Sequence, residues 1–415
     1  MGKKFLKVFG VMAIMLLLTG CNGAKETDQI GYVLIMGLDK GEGDKINVTY
    51  QVANPLAIGG QSEASKQTFT SLTFSVYSLG EARNLLNSVI ALTPMVYHVK
   101  AIIFGEALAR KGIGDTLGPL MRFREYRGSS FMIVVKGTAE EFIKENKPIF
   151  NLSPAKYVEL MMGSSNDAGF YPVSTLHNFY LRLKQHTASP YAVLAATNAK
   201  QEESLNRPPD SPLPERKEQS HTSGNISRKG GSTLEFVGTA LFKGDKMVGM
   251  LDSNETRALL ILLGDCNEGH ISVEDPLSPK QQISLRLRAR ERPEIKTQIV
   301  DNRPVIKIRQ KVEGTVTSIS SGINYESKEY QRLLENRLTQ VLTEDMSRLI
   351  NASQEVNSDV IGLGFYMAGN FQTMQQLEEF QWSDRYADAD IDVVAEVKIR
   401  GFGLMWKTNS IPGKE

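Results

Sequence analysis

Side-chain catalysis needs a nucleophile within reach of a base, or ligands spaced to share one metal ion. The chain has five histidines, His98, His177, His186, His221 and His270. They show neither His-Glu-x-x-His spacing nor clustering with acids. No Gly-x-Ser-x-Gly elbow and no phosphate-cradling Gly-x-x-x-x-Gly-Lys loop occurs. Ser153-Pro154-Ala155-Lys156 does fit the Ser-x-x-Lys pattern of penicillin-binding enzymes, and Ser164-Ser165-Asn166 mimics their second motif. The two lie only eleven residues apart, which leaves no room for an intervening helical domain, and no Lys-Thr-Gly follows. Ser153 with Pro154 reads instead as a helix start. His98 lies beside an apolar strand and is expected to be a hydrogen-bonded structural histidine. Cys266 closes the predicted helix "RALLILLGDC" and is expected to be a buried structural thiol. No catalytic or metal-ligating residue, cofactor or ligand-binding residue is nominated. The chain is read as a binding protein, not an enzyme.

The other cysteine is different. Lys3, Lys4 and Lys7 precede the apolar run Val8 to Leu18, and Leu18-Thr19-Gly20-Cys21 follows. Eleven apolar residues are too few to span a bilayer, which takes about 20, but suit a signal h-region. The Leu-Thr-Gly-Cys sequence fills every position of a bacterial lipobox. Residues 1–20 are therefore predicted to be a lipoprotein signal peptide. Cys21 is predicted to become the N-terminus as an S-diacylglycerol cysteine, with or without N-acylation. Two acyl chains anchor stably where one does not.

Removing residues 1–20 takes three of the 48 basic residues, leaving 45 against 47 acidic ones. That balance gives no reason to expect nucleic acid. With one cysteine left there is no disulfide framework.

Residues 200–232 contain four prolines, many charges and few large apolar residues. They are expected to form a polar linker or exposed loop. Before them, strands are predicted at 30–39, 46–54, 68–77 and 100–105 and in "SSFMIVVKG". A helix is expected to bury Ala82, Leu85, Leu86, Val89 and Ile90, and Thr138 with Glu141 marks a helix start. After the linker come a hairpin around Gly244-Asp245 and the helix "NETRALLILLGD". Next is the alternating strand "QISLRLRARE", whose inward set is Ile283, Leu285, Leu287 and Ala289, with arginines on its other face. A second such strand (304–319), a long helix (327–350) and a final strand (389–406) complete the chain. The fold class is α+β, two to three domains with mixed or antiparallel sheets and packed helices, without regular βαβ repetition. The expected divisions are an N-terminal α+β domain at 21–199 and the linker at 200–232. They continue with a middle hairpin and helix at 233–275, a C-terminal α+β domain at 276–406 and a tail at 407–415.

Several stretches, in order, resemble the Ger(x)C family, the lipoprotein C subunits of spore nutrient germinant receptors. They are "DQIGYVLIMGLDK", "YHVKAIIFGEALARKGI", "VGTALFKGDKMVGMLDSNETRALLIL", "QEVNSDVIGLGF" and "ADIDVVAEVKIRGFGL". Asn22 stands where the family often has Trp, and "MRFREYRGSS" matches only loosely. The resemblance implies an α+β lipoprotein on the outer face of the spore inner membrane. It also implies assembly with membrane A and B subunits into a complex that senses a nutrient germinant. Two readings from other classes are a lipid-anchored solute-binding protein of an importer and an envelope hydrolase. Recurring βαβ lobes would favour the first, and a serine or carboxylate pair needed for turnover the second.

Overall fold

Two sheets organise the chain. The computed structural model describes residues 2, 5, 29–53, 68–150, 152–198, 220–405, 407 and 408. The first sheet holds β1 (Ile30–Lys40), β2 (Ile46–Ala53), β3 (Phe69–Val76), β4 (Thr93–Met95), β5 (Ala101–Gly105), β6 (Phe131–Lys136), β7 (Tyr191–Thr197), β8 (Leu234–Lys243) and β9 (Lys246–Leu251). Their order is β3-β2-β1-β5-β6-β7-β8-β9, with β4 beside the start of β1. Strands β1, β5, β6 and β7 run parallel, and antiparallel hairpins extend both edges. Every residue of β5 is buried, the mark of a strand covered on both faces. Helices 79–89, 106–111, 114–122 and 176–184 cover one face through Leu86, Leu108, Leu117 and Phe179. Helices 139–145 and 154–163 cover the other through Phe142, Ile143 and Val158.

The fold is α+β with mixed sheets, but its parallel centre contains two βαβ crossovers, β5 to β6 and β6 to β7. The sequence reading expects no regular βαβ repetition, and these two units do not form one. The crossovers use short helices of unequal number and length, so no repeating period marks them.

The second sheet contains β10 (Cys266–Asp275), β11 (Ser278–Ala289), β12 (Glu294–Val300), β13 (Arg303–Ile319) and β14 (Asp390–Gly401). β13 pairs antiparallel with β11 and β12 and parallel with β14. Ile283, Leu285, Leu287 and Ala289 face inward, as their alternation requires. The long helix runs from Lys328 to Glu355 and sets Leu334, Leu338, Leu342, Met346 and Leu349 into the same core. β10 and β12 are absent from the sequence reading because polar residues interrupt their apolar alternation.

Two further expectations change, and a third is refined. The 234–251 hairpin is hydrogen-bonded into the first sheet, whereas β10 lies in the second, so the segment 233–275 is shared between the sheets. Residues 220–232 form a polar loop as expected, with six residues exposed, but it is anchored to the first sheet rather than free. Ser223 is fully buried, its hydroxyl donates to the Val237 carbonyl and accepts from the Val237 amide, and Gly224 N donates to buried Glu235. These residues pack by hydrogen bonds, which apolar content does not reveal; residues 199–219 lie outside the described residues. On helix 79–89 only Leu79, Ala82 and Leu86 are buried, and Leu85 and Val89 face solvent.

Candidate functional site

The blocks singled out by resemblance are where carboxylates from one segment meet backbone amides of the same or another segment. Asp39, at the end of β1, accepts from Ala139 N at 2.7 Å and Glu140 N at 3.0 Å. Together with Thr138 Oγ1, which accepts from Glu141 N, it caps helix 139–145 from a distant strand. Burial pushes the Asp39 carboxyl up and the two amides pull it back. A side chain on Gly105 would overlap this carboxylate, so the Phe104-Gly105-Glu106 turn has room only for glycine.

Asp245 in the β8–β9 turn fastens the hairpin to the first sheet's helices. Its carboxylate accepts from Gly114 N at 2.9 Å and its carbonyl from Ile113 N at 3.0 Å. Asp252 and Glu255 form a reciprocal capping box that starts helix Ser253–Leu263. Nine of that helix's eleven residues are buried, and Leu259 to Leu262 enter the core of the second sheet. Hairpin and helix together therefore tie one sheet to the other.

Asp359 completes the joint. The turn Asp359-Val-Ile-Gly-Leu-Gly364 wraps its backbone round its own carboxylate. Oδ1 accepts from Gly362 N at 2.8 Å and Leu363 N at 3.0 Å, and Oδ2 from Gly364 N at 2.9 Å and Trp382 Nε1 at 2.8 Å. Burial pushes the Asp359 carboxyl up, while the four donors favour its charged form. A Cβ on Gly364 would lie 2.7 Å from Thr187 O and collide with the Trp382 ring. From the first sheet's side, Arg182 donates to Val360 O and to Ser189 O, and its guanidinium stacks on Tyr191. Ser189 N donates to Asp359 O at 2.7 Å, and Ser358 Oγ to Phe242 O at 2.7 Å.

Cavities of about 680, 310 and 330 Å³ open around this joint. The largest has Lys184 and His186 on one wall and Glu378, Asp384 and Trp382 on another. No hydrogen-bonded nucleophile and base pair lines it among the described residues, and no group of three or more metal-ligating side chains occurs among them. The arrangement can seat a small polar group or a protein segment.

The residues singled out from sequence fall elsewhere. Cys21, the predicted lipid site, lies outside the described residues, as does most of the predicted signal peptide. Ser153 caps helix 154–163 by accepting from Lys156 N, and the Lys156 amine pairs with Glu159 rather than the serine hydroxyl. His98 is exposed and packs edge-on against Tyr32 at 5.1 Å, in place of the expected structural hydrogen bond. Cys266 is fully buried, but it opens β10 instead of ending the helix, because Gly264 in the left-handed region stops the helix two residues earlier. Burial pushes its thiol up. The sequence alone does not single out Asp359, Arg182 or Glu235. The acid followed by two glycines at Asp359-x-x-Gly-x-Gly was the one available signal of a carboxylate inside a nest of amides.

Two family models match the chain: "Spore germination protein N-terminal domain" over residues 23–196, and "Spore germination B3/ GerAC like, C-terminal" over residues 237–403. The putative spore germination protein YfkR of Bacillus subtilis (strain 168) is 23% identical over 418 residues, 99% of this chain and 100% of that protein. Spore germination protein B3 of the same organism is 23% identical, over 96% of this chain and 98% of that one. The crystal structure of the GerBC protein is similar at a TM-score of 0.47 and 18% identity, covering 88% of this chain and 96% of that one. The second family model begins inside β8, a strand of the first sheet, so the two matched regions share one sheet. Matched in both regions and across nearly its whole length, the chain belongs to the Ger(x)C family of spore germination proteins, the C subunits of germinant receptors.

Proposed function

We propose that this chain acts as the lipid-anchored structural subunit of a nutrient germinant receptor, tethered at Cys21 to the outer face of the spore inner membrane and assembling there with the membrane A and B subunits. One observation carries the reading. The polar residues of the family-like blocks, Asp39, Asp245, Asp252 and Asp359, are engaged in joints inside the fold. Such residues brace a two-sheet platform by hydrogen bonds within the fold. Tethering confines the platform to a thin layer beside its partners, which raises effective concentration and lets modest contacts suffice for assembly.

The test is dipicolinate release from spores across a nutrient panel, comparing deletion of the chain with Cys21→Ala. Loss of the same nutrient responses in both strains is the expected result. Loss on deletion alone would make the lipid dispensable. Calorimetric binding of a germinant by the isolated chain would overturn the structural role.

A further inference from the structure

We propose that the end of the first sheet where β1, β5, β6 and β7 begin docks on an anionic phospholipid surface through residues 121–130, the end of helix 114–122 and the loop that follows it. The proposal builds on the tether at Cys21, and its test is independent of it. β1 starts at Ile30, nine residues after Cys21. An extended chain covers about 3.3–3.6 Å per residue, so a lipid on Cys21 keeps this end of the sheet within about 30 Å of the headgroups.

Because the four strands are parallel, the segments leading into them gather at that same end. Lys100 N donates to Leu34 O at 2.8 Å, Phe131 N to Lys100 O at 2.8 Å, and Ser130 Oγ to Val99 O at 2.7 Å. The His98 ring lies against Tyr32, two residues into β1. The stretch "MRFREYRGSS" thus ends beside the place where the tether enters the fold.

Its charge is the second observation. Arg122, Arg124 and Arg127 are exposed, and none has an acidic partner among the described residues. The loop's own acid, Glu125, is taken by Arg83, and Glu159 neutralises Lys100. His98 titrates below the ordinary histidine range, through desolvation first and then the positive charge of Arg127 and Lys100. Exposed Phe123 and Tyr97, 48% and 40% accessible, flank the arginines and supply the aromatic side chains that favour a headgroup layer. Cationic side chains without counter-charges, aromatic neighbours and a tether ending beside them match an anionic lipid surface.

The experiment uses the chain from residue 22 to 415 without lipid, which contains every element of both sheets. Co-sedimentation is measured with phosphatidylcholine vesicles, with and without about one-third phosphatidylglycerol. The expected result is binding only to the anionic vesicles, weakening as salt rises. Each arginine near such a surface is worth about a factor of five, so Arg122→Gln/Arg124→Gln/Arg127→Gln should lower partitioning on the order of 100-fold. The second sheet also exposes cations, and Arg288→Gln/Lys307→Gln/Lys311→Gln, checked for an unchanged melting temperature like the loop variant, should bind as the parent does. Absence of binding at low salt, an unaffected loop variant, or equal loss in both variants overturns the proposal. Since the protein carries no lipid in this assay, such a failure leaves anchoring at Cys21 to be judged by the spore experiment alone.

Discussion

Replacing Asp359 by alanine removes the acceptor of four donors, Gly362 N, Leu363 N, Gly364 N and Trp382 Nε1. The side chain is 3% exposed, so solvent does not reach these groups in the intact joint. An orphaned buried donor costs about 1–3 kcal/mol. Water entering the vacated space would relieve part of this, so the low end of the range applies, giving about 4 kcal/mol for the four. Against a folding free energy of about 5–15 kcal/mol that is a large share. Asp359→Asn separates shape from charge: its single carbonyl oxygen still accepts from one pair of donors, while its amide faces the other pair. About half the loss, roughly 2 kcal/mol, is expected. The assay is urea unfolding followed by Trp382 emission in a Trp406→Phe background, since the chain has two tryptophans. Trp382 is 2% exposed and bonded to Asp359, so its signal reads the joint itself. The order parent, Asn, Ala is expected, with emission shifted to the red in Asp359→Ala before urea is added. An alanine variant within about 0.5 kcal/mol of the parent, its Trp382 still buried, would refute the reasoning that this carboxylate holds the turn.

Glu235 accepts from Asn198 Nδ2 at 2.6 Å and Gly224 N at 2.7 Å and pairs with Arg228, so Glu235→Ala should cost about 3 kcal/mol and speed tryptic cleavage at Arg228 and Lys229. A digestion rate equal to the parent's would show that residues 220–232 are fastened by something else. Ser153→Ala should cost about 1 kcal/mol as a lost helix cap and leave dipicolinate release per molecule intact, and labelling of Ser153 by a fluorescent penicillin would contradict that. Arg127→Gln should raise the His98 titration midpoint, read by NMR of the imidazole protons, because it removes a positive neighbour. With the folded-state value depressed, His98 costs the fold nothing above the unfolded value of about 6.5, and a stability loss grows as pH falls through that value. The variant should flatten this acid-side slope, and an unmoved midpoint would place Arg127 away from the ring.

The elements most legible from sequence were those whose side chains carry a strong period. β11 and β13 alternate, and the long helix repeats Leu334, Leu338, Leu342, Met346 and Leu349, so each is legible without any tertiary contact. Where the signal was weak the sequence fell short. Residues 220–232 are the polar loop their composition suggests, but composition does not show that Val237 and Glu235 of β8 anchor it by hydrogen bonds to Ser223 and Gly224. Leu85 and Val89 look like core because they are apolar at helical spacing, yet helix 79–89 buries only a narrow stripe.

By itself, the sequence determined the α+β class, the ordered family-like blocks and the apolar run ending in Leu18-Thr19-Gly20-Cys21, because composition, periodicity and contiguous motifs are local properties. Tertiary structure alone decided that Asp39 caps a helix a hundred residues away, that β8 and β9 belong to the first sheet, and that Asp359 and Arg182 close the joint between sheets. Each of these depends on strands and turns distant in the chain being brought within hydrogen-bond reach. A carboxylate's partner is chosen by that proximity, and no pattern along the sequence records it.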